Sequence, residues 1–160
     1  MVSESTVASV AFLSVTASLP FYLYGAWYII DTEVVTWRRL LTHLSFVVTG
    51  LVLTTVPIVT WMGPRLLDQL SGLAAIHAFL GLQAYALLAF GLTGIVRIFQ
   101  AKRSAELYRD PDRDASINEL HENMSDWRRR LRVGVFGYVV FWALAYLIGV
   151  YRFLQLYVFG

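Results

Sequence analysis

The chain has 160 residues, no cysteine and a net charge of +2, and 58% of its residues are hydrophobic while 15% are charged. Soluble domains are about half apolar and roughly a quarter charged. This composition excludes a disordered chain, a disulfide scaffold and a thiolate metal site, and it argues against an ordinary soluble enzyme.

Four long segments without a formal charge follow one another along the chain: 7–30, 40–64, 69–96 and 133–151. A helix needs about 20 apolar residues to cross a ~30 Å hydrocarbon core, and each segment has that length or nearly so. The segments also lack the charged outer face of a soluble helix. We therefore predict an all-α fold, a single integral membrane domain built as an up-and-down four-helix bundle. Its helices are expected at about 7–30, 38–62, 69–100 and 127–158.

The basic residues predict how the helices are oriented. Eleven of the 13 lie between helices one and two or between helices three and four, and only Arg65 and Arg152 fall on the other side. The positive-inside rule then predicts a multi-pass protein of the cell membrane, with both termini outside and loop 101–126 in the cytoplasm. The first residues lack the basic region of a signal peptide, so we expect the first helix to be retained.

The polar segment 97–132 mixes nine basic and seven acidic residues. Residues 110–112 (DPD) predict a turn, and Ser116 and Glu119 have the spacing of a capping box. A short amphipathic helix should follow, with one apolar face made of Ile117, Leu120, Met124 and Trp127. This face either rests on the bundle and lipid headgroups or docks a partner protein. The three arginines at 128–130 are interpreted as a topology anchor attracted to anionic lipid, and nothing favours nucleic-acid binding.

Polar side chains inside membrane helices are costly and therefore mark candidate sites. The candidates for cofactor binding are His77, His43, Arg152 and Tyr85. Both histidines share a helix face with small residues, which predicts that they point into the bundle. Arg152 either faces inward or extends to the outer headgroups. No catalytic residue and no metal site is predicted.

Two intramembrane histidines raise the possibility of haem b, but their depths differ. His43 should lie about 9 Å from one end of the membrane core and His77 about 12 Å from the other. Within a single chain, the two histidines fit the coordination of one iron badly. Each histidine alone could still ligate haem with a partner subunit or hydrogen-bond a quinone at a shared interface. The alternative is a neutral histidine bonded to a hydroxyl or carbonyl of a neighbouring helix.

Three segments carry a resemblance to a known group of proteins: 19–27 (LPFYLYGAW), 77–85 (HAFLGLQAY) and 127–132 (WRRRLR). They resemble an uncharacterised family of haloarchaeal four-helix membrane proteins. The genes of that family tend to accompany those for a Rieske protein and cytochrome b subunits. Helices two to four are more faintly similar to small membrane proteins that assist cytochrome oxidase assembly. The resemblance implies an archaeal accessory role in a quinol-oxidising respiratory complex.

Two functions from different classes therefore stay open. The first is a non-catalytic accessory or assembly subunit of a membrane respiratory complex of the cytochrome b/Rieske type. Its partners would be the lipid bilayer and other membrane subunits of that complex. The second is a haem- or quinone-binding membrane electron carrier that uses the histidines. In neither case is the chain expected to be an enzyme by itself.

Overall fold

The computed structural model describes residues 3–30, 36–65, 72–106 and 121–160. These residues form four α-helices and one short π-helix, and no strand occurs among them. The elements are α1 (Glu4–Ile30), α2 (Trp37–Pro57), the π-helix (Ile58–Met62), α3 (Gly72–Ser104) and α4 (Met124–Tyr157). Each of the four segments 4–30, 37–62, 72–104 and 124–157 is long and apolar enough to span a membrane. The predicted all-α architecture is confirmed, with four helices whose length and composition suit a membrane span.

Local side-chain chemistry explains where the first two helices begin. Ser3 Oγ accepts a hydrogen bond from the Thr6 backbone N–H (3.2 Å), and Thr36 Oγ1 accepts one from the Arg39 N–H (3.4 Å). Such N-caps satisfy amide donors that have no partner inside the helix. Pro57 is the last α-helical residue before the π-helix, whereas α1 runs through Pro20 as one α-helix.

α3 and α4 are longer than a bilayer core requires. They have 33 and 34 residues, which corresponds to about 50 Å at 1.5 Å per residue, against a core of ~30 Å. α3 continues past residue 100 to Ser104, and α4 begins at Met124, so both ends of the predicted loop 101–126 are helical. Met124 is fully buried and Trp127 is half-buried in the first turn of α4. The predicted turn at 110–112, the capping box at 116–119, Ile117 and Leu120 lie outside the described residues.

The chain divides into two compact units, and unit 1 comprises residues 1–70 and 150–160. Here α1 packs on α2, and aromatic rings fill the space above glycines. A Cβ at Gly50 would lie 2.8 Å from Cε1 of Tyr22, so this ring occupies room that only glycine leaves free. In the same unit Phe12 of α1 stacks on Phe153 of α4, with ring centroids 4.4 Å apart. In unit 1, therefore, side chains of α1 pack against a face of α2 that carries a glycine.

Unit 2 comprises residues 71–149 and is held by close approach of two helix backbones. A Cβ at Gly134 of α4 would lie 2.5 Å from both Cα and N of Gly91 on α3. One turn away, a Cβ at Gly94 would lie 2.5 Å from the carbonyl oxygen of Trp127. Small residues at helix interfaces allow this kind of packing in membranes. The α3–α4 contact therefore depends on the absence of side chains at these positions.

Candidate functional site

His43, one of the predicted cofactor-binding residues, lies on α2 in unit 1. It is half-buried, and its Nδ1 is 2.8 Å from the backbone carbonyl oxygen of Gly25 on α1. Because a carbonyl can only accept, Nδ1 carries the proton and donates it. This is the bond to a neighbouring helix that we gave as the packing alternative. The Nδ1 atom of His43 is therefore used in the contact between α1 and α2.

Two hydroxyl groups on the same helix pair form a short chain of hydrogen bonds. Thr54 is 1% exposed, and its hydroxyl donates to the backbone carbonyl of Gly50 (3.0 Å). Tyr22 Oη lies 3.3 Å from Thr54 Oγ1. Since the Thr54 proton points to Gly50, the Tyr22 hydroxyl is the donor in this second bond. The buried Thr54 hydroxyl is thus hydrogen-bonded both within α2 and to Tyr22 of α1, as a low-dielectric interior demands.

His77 and Tyr85 lie on α3 in unit 2, eight residues or about 12 Å apart along the helix axis. The His77 ring is half-buried against α4: a Cβ at Gly149 would lie 3.2 Å from its Cε1 and 3.3 Å from its Nε2. The Tyr85 ring meets Tyr138 of α4 edge to face, with centroids 6.5 Å apart. Both predicted residues therefore contact α4, and Nε2 of His77 lies next to helix backbone.

Arg152 is half-buried near the end of α4 that belongs to unit 1. Its charge acts on Tyr157, as do the charges of Glu4 and Arg65. Glu4 and Arg65 form an exposed ion pair (Oε1 to Nε, 3.9 Å), and the Arg65 guanidinium lies over the Trp61 ring at 5.2 Å. Arg152 therefore lies among the charged groups at one end of unit 1, the surroundings expected if it extends to headgroups.

These placements divide the four predicted residues between the two units. His43 and Arg152 belong to unit 1, and His77 and Tyr85 to unit 2. Across the described ranges, no group of three or more histidine, cysteine, aspartate or glutamate residues is arranged to hold a metal ion. His121 lies just before α4 and packs on Trp127. Whether any of the four residues binds a cofactor stays a prediction.

A cleft of about 450 Å³ with a mixed polar and apolar lining lies between the ends of α3 and α4 in unit 2. It is lined by Arg97, Gln100, Ala101, Ser104, Ala105, His121 and Trp127. Arg97 is the first charged residue after the uncharged segment 69–96, so the cleft begins where α3 leaves its apolar stretch. None of these lining residues is acidic. The cleft is therefore a site rich in hydrogen-bond donors at one end of the helix pair.

The prediction of a loop at 101–126 does not lead to this cleft. On the extended α3 of the structure, residues 97, 100, 101 and 104 have the spacing i, i+3, i+4, i+7 of one helix face. That periodicity was available in the sequence. The contribution of His121 and Trp127 was not, because it depends on how α4 approaches α3.

Comparison with protein-family models gives a match over residues 4–158, to a domain of unknown function designated DUF7321. Comparison with curated proteins and with solved structures gives no significant match. The family match covers nearly the whole chain and both units, including the four predicted site residues and the cleft. The chain therefore belongs to the DUF7321 family, an uncharacterised family whose model spans all four helices.

Proposed function

We propose that the protein is a non-catalytic accessory or assembly subunit of a membrane respiratory complex. The observation that supports this most is the use of polar groups within the helices. His43 donates to the Gly25 carbonyl, and the Tyr22 and Thr54 hydroxyls are bonded across the same helix pair. These groups hold helices together. A protein of this kind provides surfaces that other subunits bind and catalyses no reaction itself.

The outward faces of the helices are suited to such a role. Large apolar side chains are exposed on every one of them, among them Leu23 on α1, Val52 on α2, Phe79 on α3 and Phe136 on α4. Apolar faces of this extent fit lipid tails, and they equally fit the helices of other membrane subunits. The respiratory assignment, of the quinol-oxidising cytochrome b/Rieske type, is supported by the resemblance of segments 19–27, 77–85 and 127–132.

Co-purification tests this proposal directly. The tagged full chain is extracted from native membranes in mild detergent, and the proteins that remain bound are identified by mass spectrometry. In parallel, quinol oxidation is measured in membranes from cells that lack the protein. We expect cytochrome b and Rieske subunits in the first experiment and a lowered amount of assembled complex in the second. Absence of both subunits together with a normal level of the complex would refute the proposal.

The second candidate, a haem- or quinone-binding carrier, depends on His77. Its ring is half-buried at the contact of α3 and α4 and fills the room that the missing side chain of Gly149 leaves free. A reduced-minus-oxidised absorbance spectrum of the purified chain distinguishes the two candidates. A b-type band present in one copy per chain, and lost in His77→Ala, would favour the carrier over the accessory subunit.

A further inference from the structure

The cleft between Arg97 of α3 and Trp127 of α4 combines polar side chains with two alanines and a tryptophan. Arg97 has neither an ion-pair nor a hydrogen-bond partner among the described residues, and the same holds for the side-chain amide of Gln100. Guanidinium and amide N–H groups are donors. None of the lining residues that the structure describes carries a carboxylate, so this part of the cleft is suited to an anion.

His121 adds a further donor to the cleft. Its Nδ1 accepts a hydrogen bond from the backbone N–H of Asn123 (3.1 Å), so the neutral ring carries its proton on Nε2. The ring packs on Trp127 with centroids 4.4 Å apart, which holds it at the edge of the cleft. Ser104 is no donor here, because its hydroxyl donates to the backbone carbonyl of Gln100 (2.9 Å).

The described residues around the cleft carry more basic than acidic side chains. The described residues 97–106 and 121–132 contain seven lysines and arginines and three acidic residues. Lys102 of α3 and Arg128 of α4 lie close enough for their charges to repel. An anion between the two helix ends would offset this repulsion. The position just beyond the uncharged segment 69–96, beside a tryptophan, corresponds to the headgroup level of a bilayer.

The geometry points to a binding site for a phosphate group in this cleft, held by Arg97, Gln100 and His121. The phosphate is carried either by an anionic lipid headgroup or by a soluble phosphate. A volume of about 450 Å³ accommodates a headgroup, since small-molecule pockets span roughly 300–1,000 Å³. Phosphate oxygens accept charge-assisted hydrogen bonds from an arginine fork. This site is independent of the proposed respiratory role, and its test involves no respiratory activity.

Binding is measured on the purified full chain in neutral detergent by native mass spectrometry. The probes are short-chain phosphatidylglycerol, phosphatidylcholine with the same chains, and inorganic phosphate. We expect phosphatidylglycerol to bind in one copy and more tightly than phosphatidylcholine. Arg97→Gln should weaken that binding about tenfold or more, because it removes a charge-assisted hydrogen bond. If inorganic phosphate displaces the lipid, the site recognises free phosphate; if it does not, the site recognises the headgroup.

Two further variants separate a built site from diffuse positive charge. Arg103→Gln removes the same charge from an exposed position on the same helix end, outside the cleft, and should weaken binding less than about threefold. Gln100→Ala removes a lining donor without changing the net charge and should weaken binding clearly. Unchanged unfolding midpoints show that the variants are folded. Equal weakening by Arg97→Gln and Arg103→Gln, or no binding of any probe to the parent chain, would overturn the proposal.

Discussion

Units 1 and 2 each hold a pair of helices together, and they do so by different means. In unit 1 the contact between α1 and α2 uses polar side chains that bond to the backbone of the facing helix, as His43 does with Gly25. In unit 2 the glycines at 91 and 134 bring two backbones into direct contact. Lipid provides little hydrophobic drive for helix association, so packing and hydrogen bonds carry it. Unit 1 uses hydrogen bonds between helices and unit 2 uses close backbone packing, so one chain contains both kinds of contact.

The glycine contact of unit 2 should be the more sensitive of the two. Gly134→Ala places a Cβ 2.5 Å from Gly91 Cα and N and 2.7 Å from the Leu87 carbonyl oxygen, all of them backbone atoms that cannot turn aside. We expect a loss of about 1–3 kcal/mol or more in the free energy of unfolding, measured by denaturant titration in mixed micelles.

Gly81→Ala is the matched control on α3. No atom lies within 4 Å of a Cβ built at Gly81, so the same substitution should leave stability unchanged or raise it by up to ~1 kcal/mol through helix propensity. Equal destabilisation by the two substitutions would show that α3 and α4 do not meet at Gly134.

His43→Leu should break the polar contact of unit 1 and reduce stability by less than Gly134→Ala does. The substitution removes the donor to the Gly25 carbonyl, and hydrogen bonds between membrane helices contribute about 0.6–2 kcal/mol. His43→Asn keeps an amide donor near the position of Nδ1 and should recover part of the loss. Thermal unfolding in detergent measures both variants, and equal midpoints for the two would contradict the hydrogen bond as the stabilising contact.

A smaller effect is expected at Ser14 of α1. Its hydroxyl donates across the helix pair to the backbone carbonyl of Leu53 (2.8 Å), and Ser14→Ala should cost about 0.6 kcal/mol. Ser9→Ala is the control, since the Ser9 hydroxyl bonds to the Ser5 carbonyl within its own helix (2.8 Å). The same unfolding titration should find the control closer to the parent, and the reverse order would contradict a cross-helix role for Ser14.

The sequence predicted the elements better than their contacts. Uncharged segments located all four helices. The small residues that share a helix face with His43 correctly indicated an inward face, because Gly50 and Thr54 on that face are buried. The partner of His43 could not be predicted, since Gly25 faces it only through the register of α1 on α2. The cleft depends in the same way on the approach of α4. Periodicity specifies which face of a helix packs, whereas the facing atoms depend on the docked geometry.

His77→Ala tests most directly whether the polar groups within the helices serve packing rather than chemistry. His77 contacts α4 at Gly149, so its loss should leave a void and lower the unfolding midpoint, while quinol oxidation per folded molecule stays normal in the respiratory complex that we propose it belongs to. The decisive measurement is this pair of values, midpoint and specific activity, on one preparation. An unchanged midpoint with lost activity or lost haem content would contradict a packing role and assign His77 to a cofactor site.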